Sequence, residues 1–163
     1  MKKILKVLSL LLCLSLLQGC SYEKPEYIHF EKKPSLNFYT NEINNKILKG
    51  KNYSIEIFDT NISKTTKIDD SEKVIIEDLI NSLNNDSYKK VKKIKELEPY
   101  QIKVKFNDKN DKYVINVYNN EYITISPWDG IFEMDYISME NVPERYNLYN
   151  FCEYIKNRSD LGQ

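Results

Sequence analysis

Alanine does not occur in these 163 residues, while histidine and tryptophan occur once each, cysteine three times and glycine four times. The shortage of cysteine excludes a disulfide-stapled scaffold and a cysteine-ligated zinc module. The single imidazole, His29, leaves no histidine cluster for a metal, and any Ser-His-Asp arrangement would depend on that one residue. No metal or cofactor is therefore expected. Neither charge sign is in excess, since 24 Lys and Arg face 24 Asp and Glu. Removing Lys2, Lys3 and Lys6 with a cleaved leader leaves 21 basic against 24 acidic side chains. Nucleic acid is not an expected partner of such a domain, because that affinity comes from a basic face neutralising phosphates. A long apolar run is missing too. The most hydrophobic stretch, Val7 to Leu17, has 11 residues. As a helix it spans roughly 16 Å, short of a hydrocarbon layer about 30 Å thick.

What is present points to a folded domain behind an export signal. Hydrophobic residues make up 41% of the chain, with 13 Tyr and 6 Phe, which argues against global disorder. Lys, Ile, Asn and Tyr together supply 72 residues. All four share A/T-rich codons, so a local excess of any of them carries little functional weight. Lys2, Lys3 and Lys6 give the leader its positive start, and Val7 to Leu17 gives it an apolar core. That core runs into Leu17-Gln18-Gly19-Cys20, followed by Ser21.

The tetrapeptide resembles the lipobox of bacterial lipoproteins: a branched apolar residue three before the cysteine, a small residue directly before it, a polar one after. The resemblance implies a diacylglyceryl group with fatty acyl chains such as palmitate on the Cys20 thiol. It also implies cleavage between Gly19 and Cys20, with Cys20 as the new N-terminus. Each buried methylene contributes about 0.8 kcal/mol, so two acyl chains hold stably where one is marginal. The expected organisation is a signal peptide over 1–19, a lipidated tether over 20–34 and a single domain over 35–163. The expected location is the outer face of the cell membrane.

Periodicity sets out the domain. Leu36, Tyr39, Ile43 and Ile47 predict a short helix ending at Gly50. Tyr53, Ile55 and Ile57 alternate with polar residues as in a strand, and Asp59 to Lys67 reads as a polar connection. Ile76, Leu79, Ile80 and Leu83 form a helical stripe that Asp69 and Glu72 are placed to cap. Three alternating segments follow, centred on Val104, Ile115 and Ile123. Pairing Val104 with Ile115 and Val117 with Ile123 keeps their apolar residues on one face. Phe132, Met134 and Tyr136 predict a further strand after the turn at Ser126 to Gly130. A last helix, capped by Asn141, presents Leu148, Phe151, Cys152 and Ile155. The expected fold is α+β: an antiparallel β-meander of four to five strands with two or three helices packed on one face.

Candidate sites are few. Cys152 lies on an apolar stripe, where a thiol is packing rather than a nucleophile. Asn107 to Asp111 gathers oxygen donors but lacks the glycine and distal glutamate of an EF-hand, which leaves a solvated turn. Tyr118, Tyr122 and Trp128 fall on the sheet face away from the helices, as a possible binding face for protein or sugar. Lys89, Lys90, Lys92 and Lys93 form a cluster suited to an anionic polymer. In length, composition, lipobox and the order of elements around Ile57, Leu79 and Ile115, the chain resembles the small, uncharacterised lipoproteins of clostridia and related low-GC Gram-positive bacteria. That resemblance brings no catalytic motif. It leaves a non-enzymatic binding or adaptor module for an envelope protein, with a binder of wall polymer (teichoic acid or peptidoglycan) as the alternative. A Cys20→Ala variant is expected to stay unlipidated and to leave the membrane fraction, checked by intact mass and fractionation.

Overall fold

Alternating strands separated by short polar turns build most of this architecture. The computed structural model describes residues 32–89, 94, 96–107 and 111–161. Six strands, β1 (Tyr53–Asp59), β2 (Lys64–Lys67), β3 (Tyr100–Phe106), β4 (Lys112–Val117), β5 (Tyr122–Pro127) and β6 (Asp135–Ser138), form one antiparallel sheet. Their order is β2-β1-β3-β4-β5-β6. Three helices, α1 (Phe38–Leu48), α2 (Ile75–Ser82) and α3 (Leu148–Leu161), cover one face. The α+β class and the meander are as expected, with six strands rather than four to five.

The covered face has an aliphatic centre flanked by the rings of Tyr53, Tyr100, Phe106 and Tyr113. Ile102, Val104, Ile115, Val117, Ile123 and Ile125 are sealed from solvent against Ile43 of α1, Ile76 and Leu79 of α2, and Leu148 and Cys152 of α3. Each such aliphatic contributes about 1.5–3 kcal/mol by leaving water, so this layer supplies the bulk of the favourable energy. Alpha-helix α1 stops where the sequence says it should. Gly50 takes a φ of 70°, its N–H bonds the Ile47 carbonyl, and the Lys51 N–H bonds that of Lys46. This is the Schellman closure that glycine permits without a Cβ penalty.

Several local readings are corrected. The segment 59–67 is not merely a connection, because Lys64–Lys67 pairs with β1 as an edge strand. Its Lys-Thr-Thr-Lys sequence has no apolar residue to betray a buried face. Strands β3 and β4 pair Ile102 with Ile115 and Val104 with Tyr113, two residues away from the expected register. A two-residue slip keeps every side chain on its own face, so alternation is blind to it. The Phe106–Asp111 backbone bond, 3.0 Å, closes this hairpin instead. The Val117–Ile123 pairing is as expected.

Helix α2 begins at Ile75, so Asp69 is not its cap, and residues 70–74 before it form turns. Helix α3 is capped by Asn147, not Asn141: its Oδ1 accepts the N–H groups of Tyr149 and Asn150. In the last strand, Asp135 and Ile137 face the core, one residue out of phase with the expected Phe132, Met134 and Tyr136.

That last correction has a physical cause. Asp135 is fully buried, yet its carboxylate is saturated with donors. Oδ2 accepts from the Thr40 N–H and hydroxyl, both at 2.7 Å, and Oδ1 from the Tyr39 N–H at 3.3 Å. Lys33 Nζ lies 2.5 Å from Oδ1 and also donates to the Met134 carbonyl at 3.0 Å. Asn37, the residue at the N-terminal end of α1, makes no capping bond of its own. A strand residue thus caps the helix across the fold, where the helix dipole also favours negative charge.

Two outcomes test this account. Asp135→Ala is expected to cost about 3–5 kcal/mol in urea unfolding, since it removes the counter-ion of the half-buried Lys33 ammonium and strands two buried helix N–H groups. Thr40→Val removes one hydroxyl donor from a buried carboxylate and should cost about 1.5–3 kcal/mol. Burial pushes the Tyr53, Tyr100 and Tyr113 hydroxyls up, and that of Tyr88 up to about 12. Unfolded tyrosine titrates near 10, so this stabilisation is complete below that pH and lost as pH rises through the folded values. The melting temperature should therefore fall progressively above about pH 10.

Candidate functional site

The sheet's second face is built by the residues between the core positions. On β1 to β4 these are Ser54, Glu56 and Phe58, Thr65 and Lys67, Gln101, Lys103 and Lys105, and Lys112, Val114 and Asn116. Register sets their neighbours. Glu56 stands opposite Lys67 on one side and Lys103 on the other. Lys105 stands directly opposite Lys112, a like-charge pair that is unfavourable in an antiparallel ladder.

Glu56 relieves this in part, with Oε2 2.6 Å from Lys105 Nζ. The hydrogen bond from Lys105, reinforced by the charges of Lys105, Lys67 and Lys103, holds the Glu56 carboxyl below its ordinary range. That leaves four lysines against one carboxylate on this part of the face, among the described residues. Lys103 Nζ sits 4.8 Å above the Phe58 ring, a cation–π contact that fixes its stem. A groove of about 190 Å³ runs between Glu56, Lys103, Lys105, Lys112, Tyr113, Val114 and Trp128.

The residues singled out from sequence divide between two ends of this face. Trp128 edges the groove, with 71% of its surface exposed, and its N–H bonds the Lys112 carbonyl at 2.9 Å. Tyr118 and Tyr122 are neighbours at the other end of β5, where the Tyr118 N–H bonds the Tyr122 carbonyl at 3.2 Å. Trp128 lies six positions after Tyr122, about 20 Å along the strand direction, so the three aromatics do not form one platform. Tyr122 is exposed, whereas Tyr118 is half-buried and its hydroxyl is pushed up by that burial. Between the two ends the face is closed: Thr124 is fully buried, with Asn116 Nδ2 3.4 Å from its hydroxyl.

Of the lysine cluster, Lys89 is exposed and its N–H bonds the Tyr136 carbonyl, which extends the sheet beyond β6. Lys90, Lys92 and Lys93 lie outside the described residues, as do Gly19, Cys20 and most of the Asn107 to Asp111 turn. Cys152 is sealed in the core, and burial pushes its thiol up, away from the reactive thiolate. The groove lysines were not singled out by sequence reasoning. Their signal was the polar half of each alternation, but only the true register brings Lys105 and Lys112 face to face.

Three comparisons place this geometry among known proteins. None of the curated proteins matches the sequence. A crystal structure of a candidate lipoprotein from Clostridium perfringens is similar, with a TM-score of 0.70 and 32% sequence identity, covering 77% of this chain and 99% of that one. The family model described as Domain of unknown function (DUF4883) matches residues 33–152, from the lysine that meets Asp135 to the buried thiol of α3. On that match and on the shared fold, the chain belongs to the DUF4883 family.

Proposed function

We propose that the mature chain is a non-enzymatic binding module, held on the outer face of the cell membrane by a diacylglyceryl group on Cys20. Its sheet takes an anionic partner of the cell envelope. The anchor rests on the Leu17-Gln18-Gly19-Cys20 pattern and on similarity to a candidate lipoprotein. The observation that carries the binding role is the charge imbalance around the groove. Lys67, Lys103, Lys105 and Lys112 surround one carboxylate, Glu56. The opposition of Lys105 and Lys112 is only partly offset by Glu56, and an anion laid across the two lysines removes the remaining cost.

Lysine ammonium groups suit diffuse, hydrated anions such as phosphate, and lack the planar fork with which arginine grips a single carboxylate. Binding is favoured over catalysis because the one thiol within the domain is packed away and the only imbalance in the groove is electrostatic. The envelope protein and the wall polymer expected from sequence both meet this requirement when they present negative charge.

Sedimentation of the mature chain carrying Cys20→Ser, which has no lipid of its own to hold it, with isolated envelopes tests the reading. Raising salt from about 0.1 M to about 1 M shortens the Debye length from about 10 Å to about 3 Å and should release the protein. Reversing Lys112 to Glu, which gives Lys105 an opposite charge for a neighbour, should give the same release at low salt without lowering the melting temperature. Retention that ignores both salt and charge reversal would sink the proposal.

A further inference from the structure

We infer that the anionic partner of this face is the headgroup surface of the membrane to which the chain is itself anchored, an inference that rests on the lipid-anchor reading above. The domain would dock through the end that carries Trp128, Lys105 and Lys112. Three independent placements converge on that end.

The first is where the tether joins. Lys33 is bonded to Asp135 and to the Met134 carbonyl, at the start of β6. The loop from Trp128 to Met134 leads directly into that point, and Trp128 bonds the Lys112 backbone. Thirteen residues separate Cys20 from Lys33, a reach of at most about 45 Å. The tether therefore enters the domain at this end.

The second placement is apolar. Trp128 and Ile131 are 71% and 68% exposed on one loop. The loop is braced: the Tyr39 hydroxyl donates to the Phe132 carbonyl and accepts the Phe132 N–H, and the Phe132 ring packs edge-on against Phe38. Gly130 permits this closeness, since a Cβ there would sit 3.0 Å from Pro127 Cγ and from the Tyr39 hydroxyl. An apolar pair held out on a braced loop has already met the entropy of ordering. Tryptophan favours the headgroup level because its ring is apolar and its N–H is wet.

The third is charge. Lys103, Lys105 and Lys112 flank Trp128 around the groove, and Lys49 and Lys51 follow α1 beside Asn52, whose carbonyl accepts the Asn107 N–H at the end of β3. Asp129 and Glu133 on the loop offset part of this attraction. A weak surface attraction is sufficient, because a short tether gives the domain a millimolar effective concentration at the bilayer. Wall polymer has no such advantage, since nothing ties it to the tether.

The sole tryptophan of the chain reports on this contact directly. The mature chain carrying Cys20→Ser, which has no lipid of its own, is mixed with vesicles of phosphatidylglycerol or of phosphatidylcholine at millimolar accessible lipid, the concentration that the tether would supply. The expected result is a blue shift of Trp128 emission with phosphatidylglycerol and none with phosphatidylcholine. Lys105→Glu with Lys112→Glu should lower the partition coefficient roughly tenfold or more. Trp128→Ala should lower co-sedimentation while its melting temperature stays unchanged. No shift on phosphatidylglycerol vesicles overturns the proposal. So does a shift produced by a soluble polyphosphate but not by vesicles, which would assign the groove to a polymer. Intact mass of the native protein reads the anchor separately. A lipidated Cys20 with no vesicle response defeats docking alone, and an unmodified Cys20 defeats the anchor alone.

Discussion

The carboxylate of Asp135 ties together three parts of the chain that are far apart in sequence: the segment at Lys33, the start of α1 and the start of β6. It lies inside the protein at the first residue of β6, caps α1 in place of Asn37, and takes the ammonium of Lys33. A buried charge of this kind is costly unless every lone pair is used, and here four donors use them. The consequence is positional rather than merely energetic. Helix α1 cannot slide along the sheet without abandoning Asp135, and Tyr39, one residue before Thr40, must then reach the Trp128–Phe132 loop. The inner packing and the outer loop are fixed by the same residue.

The two faces of the sheet divide the work. Aliphatic side chains on the helix side exclude water and supply stability, so they leave little freedom for chemistry. The outward side is uneven: basic and grooved beside Trp128, closed over Thr124, aromatic again at Tyr118 and Tyr122. Asn147 Nδ2, by bonding the Asn120 carbonyl, ties the cap of α3 to that second aromatic end. Under the docking proposed above, the Tyr122 end would stand about 20 Å farther from the lipid than the Trp128 end.

Much of this was legible in the residues. Period-two alternation identified β1, β3, β4 and β5 because each buries one face and exposes the other. The stripe of Ile76, Leu79 and Ile80 identified α2 for the same reason. What alternation could not give was anything invariant to a two-residue slip, hence the wrong β3–β4 register and the missed meeting of Lys105 with Lys112. An all-polar edge strand such as β2 carries no buried face and so no signal. Asp135 defeated the reading of β6 because an acid looks like a solvent position until its donors are known. The caps failed similarly: Asp69 and Asn141 have the right chemistry, but Asn147 alone stands where the N–H groups of α3 are free.

The two borders of the sheet are dissimilar in a way that bears on life at a surface. One border is β2, four residues long and tipped with Lys64 and Lys67; the other, β6, is met by the Tyr88 and Lys89 backbone. Short, charged or already-satisfied borders discourage strand-to-strand polymerisation. Anchored molecules share two dimensions and collide far more often than free ones at the same copy number. For such a crowd, borders that refuse their own kind are what would keep neighbours from zipping into fibres.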